Sequence, residues 1–210
     1  MNCKICTHDT FLIEDDKSYY FCKNCHYIFI DEKHIITPEE EKYRYEQHNN
    51  TIENEGYVKM FNNFIDNYIL PFASTKKRAL DFGCGPGPVL AELLSKKCFL
   101  VDIYDIYFAP IKTYKNNIYD LITATEVLEH ILDPLRVLKE LVGRLNENGL
   151  LAVMTLFHPE DTYLFKKWWY KRDPTHISFY TMETFQKIAG ILNLKILKTD
   201  ERNICIFRKN

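Results

Sequence analysis

The sequence places Cys3 and Cys6 (CKIC) and Cys22 and Cys25 (CKNC) on either side of a loop formed by residues 7–21. Each Cys-x-x-Cys knuckle can put two thiolates on one metal ion, and the loop between them closes the tetrahedron. A segment with as little apolar material as residues 1–36 needs a staple of this kind to fold. Four thiolates leave no open coordination position, so the expected ion is a structural Zn2+ and not a catalytic one. The runs TFLIE and YYFCKNCHYIFI read as short strands, which makes residues 1–36 a small β zinc ribbon. The other cysteines, Cys84, Cys98 and Cys205, are scattered, and His8 and His26 read as flanking residues of the knuckles.

Charge narrows the partners. Residues 1–36 carry Lys4, Lys17, Lys23 and Lys33 against Asp9, Glu14, Asp15, Asp16, Asp31 and Glu32. Four thiolates on zinc make that balance more negative, so the ribbon is a poor ligand for a phosphate backbone. Over the whole chain 27 basic residues oppose 29 acidic ones, and nothing draws the molecule toward polyanions. No apolar run approaches the roughly 20 residues that span a bilayer, and MNCKICTHDT lacks a charged and then apolar leader; a soluble, cytoplasmic protein is expected.

Downstream of the ribbon, TPEE offers Thr37 as N-cap, Pro38 at the first helical position and Glu40 as the reciprocal cap. A helix toward His48 is expected, then a break at Asn49 and Asn50. A second helix follows from about Ile52 or Glu53 to Tyr68, with Tyr57, Met60, Phe61, Phe64, Ile65 and Tyr68 on one stripe. Residues 37–72 thus form a helical connector. From residue 73 strands and helices alternate: strands at 78–82, 98–104, 119–125 and 149–156, helices at 86–96, 134–146, near 160–170 and at 181–193, and a closing pair of strands at 194–199 and 203–208. Alternation implies an α/β fold with a mostly parallel sheet covered on both faces. The short link between the last two strands makes them antiparallel neighbours.

Asp81–Leu90 reads DFGCGPGPVL, a glycine-rich turn at the carboxyl end of the first of these strands, where ligands of such folds bind. The Lys-Ser/Thr of a phosphate-gripping P-loop is replaced by Pro88, Val89 and Leu90, which excludes a Walker-type NTPase. Gly83, Gly85 and Gly87 alternate, whereas a dinucleotide fingerprint is spaced Gly-x-Gly-x-x-Gly. In VDIYDIYFAP, Asp102 and Asp105 both stand near where an acid grips a ribose diol.

Asp81, Gly83, Cys84, Gly85 and Gly87 resemble motif I of class I S-adenosylmethionine-dependent methyltransferases. YDLITATEVLEHILDPL (119–135) resembles the fourth-strand motif of that superfamily. YEQHNN, the FAP segment and KKWWYKRDPTHISFYT extend the likeness to a bacterial group in which a zinc ribbon precedes the methyltransferase domain. The resemblance implies a Rossmann-like domain over residues 73–210. It puts the glycines against the methionine part of the cofactor, Asp81 near its ammonium, and Thr125 and Glu126 along its methionine end. A "YD" variant of the acid motif favours Asp105 over Asp102. Only residues 106–119 separate Asp105 from Asp120, too few for the usual helix and full third strand. An abbreviated third strand is expected, a stub near Ile111–Tyr114 at most, with an adenine pocket built by Ile106, Phe108 and Pro110.

Methyl transfer from a sulfonium is an in-line displacement, and a base is needed only when the acceptor must lose a proton. Glu126, Glu129 and His130 would share a face of a helical turn, and His176 lies in the loop RDPTHISFYT. The resemblance makes His176 the first choice for base or acceptor ligand, with His130 and Glu126 beside it, and makes Tyr45, His48, Asn49 and Asn50 part of a lid. A small-molecule acceptor is favoured. The rivals are an RNA methyltransferase that uses Trp168, Trp169 and Tyr170 among Lys166, Lys167, Lys171 and Arg172 as a strand contact, and a non-catalytic cofactor-binding module that docks a protein through the ribbon.

Overall fold

In the computed structural model, which describes residues 1–47, 50–73 and 78–210, the N-terminal runs form three short antiparallel strands, β1 (Phe11–Glu14), β2 (Ser18–Phe21) and β3 (Ile28–Ile30). A fourth strand is added to β3 by Ser178–Phe179, far along the chain. The ribbon sheet is therefore closed by the segment that follows His176. Cys25, Tyr27 and Phe29 lie in one buried cluster with Leu128, Tyr180 and Phe185, so the ribbon shares its core with the larger unit.

The connector begins with α1 (Pro38–Glu46), whose capping box is formed: the Glu40 amide donates to Thr37 Oγ1 and the Thr37 amide to Glu40 Oε2. α1 has no buried residue. His48 and Asn49, expected in the lid, lie outside the described residues. α2 (Glu55–Phe64) starts later than expected because Asn54 supplies its N-cap, and it runs on into a π-helical turn at Ile65–Ile69. Phe61, Phe64, Ile65 and Ile69 pack on Leu90, Leu93, Leu94 and Phe99. Full burial of side chains such as Phe64 and Ile65 stabilises by roughly 2 kcal/mol each.

The main sheet holds β4 (Arg78–Phe82), β5 (Leu100–Tyr104), β6 (Tyr119–Thr125), β7 (Leu145–Met154), then, past the added strand β8 at Ser178–Phe179, β9 (Leu194–Thr199) and β10 (Ile204–Lys209). Its order is β5-β4-β6-β7-β10-β9; β4 to β7 are parallel, and β10 is antiparallel to both β7 and β9. The strand order reverses between β4 and β6, which opens a crevice at their carboxyl ends. The helices are α3 (Val89–Lys96), α4 (Pro134–Val142), α5 (Thr162–Lys167) and α6 (Met182–Leu192).

Several boundaries differ from the sequence expectation: α3 begins at Val89 and not at 86, and β5 at Leu100 and not at 98. α4 stops at Val142 and its expected last turn belongs to β7, which starts at Leu145 opposite Tyr119. The helix expected near 160–170 stops at Lys167, because Trp168 turns extended, and resumes as a 3-10 turn at Tyr170–Arg172. The abbreviation after β5 is complete: residues 105–118 hold an isolated bridge, Asp105 to Ala109, and a 3-10 turn at Thr113–Asn116 where the stub was expected. β5 is consequently an edge strand.

Candidate active site

A cleft of about 630 Å³ lies over the carboxyl ends of β4, β5 and β6, within the range of small-molecule sites. Asp81, Gly83, Cys84, Gly85, Gly87, Asp105, Ile106, Thr125, Glu126, His130 and His176 all line it. At one end, Gly83 and Gly85 adopt positive φ (79° and 65°), a conformation glycine takes at no steric cost. A Cβ on Gly83 would fall 2.2 Å from Val127 Cγ2, and one on Gly87 2.0 Å from the Asn50 carbonyl oxygen. The loop is therefore squeezed between the connector and the turn after β6, and it offers bare backbone to the cleft. The amides of Gly83 and Cys84 donate to the Tyr104 carbonyl at 2.7 and 3.1 Å, which locks the loop to the end of β5.

Two carboxylates frame this loop. Asp81 is buried, accepts from Thr123 Oγ1 at 2.9 Å and, desolvated, is pushed up to about 6. Asp105 accepts from the amides of Gly85 (3.0 Å), Tyr107 (2.8 Å) and Phe108 (3.1 Å). Asp102, the alternative acid, pairs instead with Arg78 at 2.9 Å and takes the Tyr119 hydroxyl at 2.6 Å. It is not among the cleft residues. Of the expected adenine wall, Ile106 and Phe108 line the cleft and Pro110 does not. Tyr104 and Tyr114, edge to face at 5.0 Å, and Phe82 complete that wall. The truncated segment contributes Tyr114 from its 3-10 turn, where a third strand would have run.

The other end of the cleft is polar. Glu126 has a left-handed backbone (φ 53°) and is followed by a 3-10 turn at Leu128–His130, so the expected helical face is replaced by a kinked turn. The turn still converges the two acids: the Tyr170 hydroxyl lies 3.0 Å from Glu126 Oε2 and 2.6 Å from Glu129 Oε1. Glu129 is wholly buried and its Oε2 has no hydrogen-bond partner. Burial and their mutual repulsion raise the Glu126 carboxyl, and burial above all raises that of Glu129. The pair is built to hold a proton.

Both histidines are oriented by backbone carbonyls. His130 Nδ1 donates to the Thr175 oxygen at 3.0 Å and His176 Nδ1 to the Tyr170 oxygen at 2.7 Å. Each neutral ring thus turns Nε2, the basic nitrogen, away from the anchoring carbonyl. The rings meet at 4.9 Å, and ligand atoms of Glu129, His130 and His176 lie within 4.8 Å of one another. Burial lowers His130, which favours its neutral, unprotonated form. Asp173 stays ionised: burial alone would raise it, but the Thr175 hydroxyl and amide and Arg44 outweigh that and bring it well below the usual carboxylate range. Arg44 of α1 reaches it at 2.8 Å, and Glu41 of α1 accepts from the Tyr45 and Tyr107 hydroxyls. Glu41 and Tyr45 thereby hang over the cleft, and the Tyr45 ring packs on Tyr107 at 5.9 Å and edge-on against His130 at 5.1 Å.

Tyr170, Asp173 and Glu41 are not among the site residues that the sequence points to, and Glu129 is singled out there only as a neighbour of Glu126 and His130. Tyr170 was legible only as part of the aromatic-basic run, and nothing in an exposed helix singles out Glu41. Of that run, Trp168 packs on Phe165, Tyr170 and Phe179 and Lys171 is buried against Asp15 and Asp16, whereas Lys166, Lys167, Trp169 and Arg172 are exposed.

In the ribbon, Cys3, Cys6, Cys22 and Cys25 are all buried, and their sulfurs lie within 4.8 Å of one another. Cys3 Sγ to Cys25 Sγ is 3.5 Å and Cys6 Sγ to Cys22 Sγ 3.4 Å. These separations are far beyond the roughly 2 Å of a disulfide. They are close to the spacing of thiolates about 2.3 Å from a common tetrahedral ion. The donor set fits Zn2+.

A mostly parallel sheet whose switch-point crevice holds a glycine turn and a following strand-end acid defines a Rossmann-like, nucleoside-binding class of fold. The chain belongs to the methyltransferase-domain family, whose profile matches residues 59–199. It is 30% identical over 125 residues to the ubiquinone biosynthesis O-methyltransferase of Vibrio campbellii, an alignment that takes in 47% of this chain and 53% of that protein. The chain thus spans about half the length of the curated relatives it matches. The fold is shared with an O-methyltransferase family protein from Burkholderia thailandensis (TM-score 0.56, 12% identity, 75% of this chain and 58% of that one). It is shared too with the plantazolicin methyltransferase BpumL, solved with S-adenosylhomocysteine (TM-score 0.51, 17% identity, 82% and 91%).

Proposed function

We propose that the chain is an S-adenosylmethionine-dependent methyltransferase that methylates a hydroxyl group of a small molecule, with a structural Zn2+ on Cys3, Cys6, Cys22 and Cys25. The observation that carries the reading is one cleft with two unlike ends: a glycine turn between Asp81 and Asp105, and a base array of Glu126, Glu129, His130 and His176. The cofactor, when bound, supplies an electrophilic methyl on a sulfonium. Asp81 would hold its ammonium, Asp105 its ribose diol, and Tyr104, Tyr114, Phe82 and Ile106 its adenine. An acid with a pKa of about 6 ionises readily beside a cation.

His176, with His130 beside it, would take the acceptor's hydroxyl proton on Nε2 when that oxygen receives the methyl group. Glu126 and Glu129, reached through Tyr170, stabilise the imidazolium that results. α1 would cover the cleft and exclude water through Glu41 and Tyr45, and a helix with no fully buried side chain suits a lid. The family match supports methyl transfer, and the relatives named O-methyltransferases support an oxygen acceptor.

The test is calorimetric titration with S-adenosylhomocysteine, followed by transfer of labelled methyl to 3,4-dihydroxybenzoate and to a structured RNA. Micromolar binding and labelling of the phenol are expected; failure to bind at millimolar concentration would sink the reading. Zinc should be present at about one ion per chain by atomic absorption, and its absence from unchelated protein would remove the ribbon's metal.

A further inference from the structure

We propose that the cysteine-bearing sheet is a working part of the cleft, and that Lys171 is a positioning residue that sets the orientation of His176. The proposal rests on the reading of the His176 end as the acceptor side. It starts from a charged residue that apolar packing alone would not require. The Lys171 ammonium is almost fully buried, 2.9 Å from Asp15 and 2.7 Å from Asp16 in the turn between β1 and β2, with the Tyr19 ring 5.3 Å away. Burial works against its charge, but the hydrogen bonds it donates to the two aspartates outweigh that and raise it.

Lys171 is the buried partner and Asp15 and Asp16 are the solvent-facing ones. The desolvation of such an ammonium offsets much of the attraction, so the pair contributes little net stability compared with an apolar side chain of the same volume. What such a pair does supply is one fixed arrangement of the segments it joins. Here the segment is Tyr170–Arg172. The Tyr170 hydroxyl bonds Glu126 and Glu129, and its carbonyl holds His176 Nδ1. A displacement at Lys171 therefore reaches three groups of the base array through a single adjacent residue.

A second route reaches the same loop through the main chain. The amide of Ile30, at the end of β3, donates to the Ile177 carbonyl at 3.0 Å, and the Ile177 amide donates to the Glu129 carbonyl at 2.8 Å. Ile177 follows His176 directly, so the ribbon, the histidine loop and the buried acid are joined by consecutive backbone hydrogen bonds. Around it, Tyr27 and Ser178 share a hydroxyl bond at 2.7 Å, and Thr184 Oγ1 donates to the Cys25 carbonyl at 2.8 Å. Among the described residues the glycine end has no such tie: its loop is fixed by Tyr104, Asp105 and the connector.

Two variants break the latch from opposite sides: Lys171→Met, which keeps the volume, and the double change Asp15→Asn with Asp16→Asn in a partly exposed turn. The readouts are long-range proton–nitrogen spectra of the His176 and His130 rings and calorimetry with S-adenosylhomocysteine. Expected in both variants are loss of the single Nδ1–H form of His176 in favour of mixed tautomers, an S-adenosylhomocysteine affinity within about twofold of wild type, and recovery of the ring signals in Lys171→Arg. Unchanged His176 signals in both variants would overturn the proposal, as would a loss of cofactor-product affinity equal to the loss of ring order. Failure of wild type to bind S-adenosylhomocysteine would instead sink the methyltransferase reading, and the ring spectra would still decide the coupling.

Discussion

The two ends of the cleft are made in opposite ways. The glycine end is local: Asp81, Gly83, Gly85 and Gly87 are consecutive in one turn, and Asp105 comes from the next strand in sequence. The polar end is assembled from Glu126–His130, from Tyr170–His176 and from the N-terminal ribbon that braces them. A ligand site that every member of a fold class needs can be written into one strand–turn–helix. A site that must fit a particular acceptor is gathered from loops, where side-chain positions change without disturbing the sheet.

If the division of labour is real, the largest separation should come from His176→Ala. Removing a positioned base costs about 10²- to 10⁴-fold in turnover, whereas S-adenosylhomocysteine affinity should stay within about twofold. Turnover of 3,4-dihydroxybenzoate, or of any acceptor the wild type methylates, checks the first half and calorimetry the second. A variant that retains most of its turnover would transfer the base role to His130 or the Glu126–Glu129 pair.

Asp105→Ala should do the converse. It removes the ribose clamp and also frees the amides of Gly85, Tyr107 and Phe108. Hydrogen bonds to a carboxylate contribute about 1.5–3 kcal/mol each, so affinity for S-adenosylhomocysteine should fall by about ten- to a hundredfold. Unchanged affinity would put the clamp elsewhere.

How much of this was legible in the sequence follows the same division. The α/β order, the antiparallel final strands and the Thr37 cap were readable because each is set by a short-range pattern or a link length. The choice of Asp105 over Asp102 rested on a family likeness, and the two residues alone did not decide it. Tyr170 on Glu126 and Glu129 could not be read, since the contact spans more than forty positions and depends on where Trp168 breaks a helix. Nor could the addition of Ser178–Phe179 to the ribbon sheet, because a strand that short has no periodicity.

A smaller effect should appear with pH. The Asp81 carboxyl, at about 6 against an ordinary 3.8, has a raised folded value. Its contribution to stability is fully present below the unfolded value and is lost as pH rises through about 6, a cost of roughly 3 kcal/mol at neutral pH by the usual conversion. A bound ammonium favours the ionised form, so binding releases a proton wherever Asp81 is still protonated. Affinity for S-adenosylhomocysteine should therefore strengthen as pH rises toward 6 and level off above it, by up to about tenfold per unit below 6. Calorimetry in buffers of different ionisation enthalpy checks the proton count, and a flat profile between pH 5 and 7 would separate Asp81 from the ammonium.

The smallest effect is the sharpest control. Asp102 is near Asp105 in sequence and equally acidic, yet it faces Arg78, Asn117 and Tyr119 at the base of β5 instead of the cleft. Its ion pair with Arg78 is partly exposed, and pairs of that kind contribute about 1 kcal/mol or less. Loss of the short bond from Tyr119 adds an amount of the same order. Asp102→Ala should therefore lower the midpoint of thermal unfolding by a few degrees and leave S-adenosylhomocysteine affinity unchanged. If affinity fell as far as in Asp105→Ala, the clamp would not depend on which acid reaches the cleft, and the glycine end would be coupled to the whole edge strand.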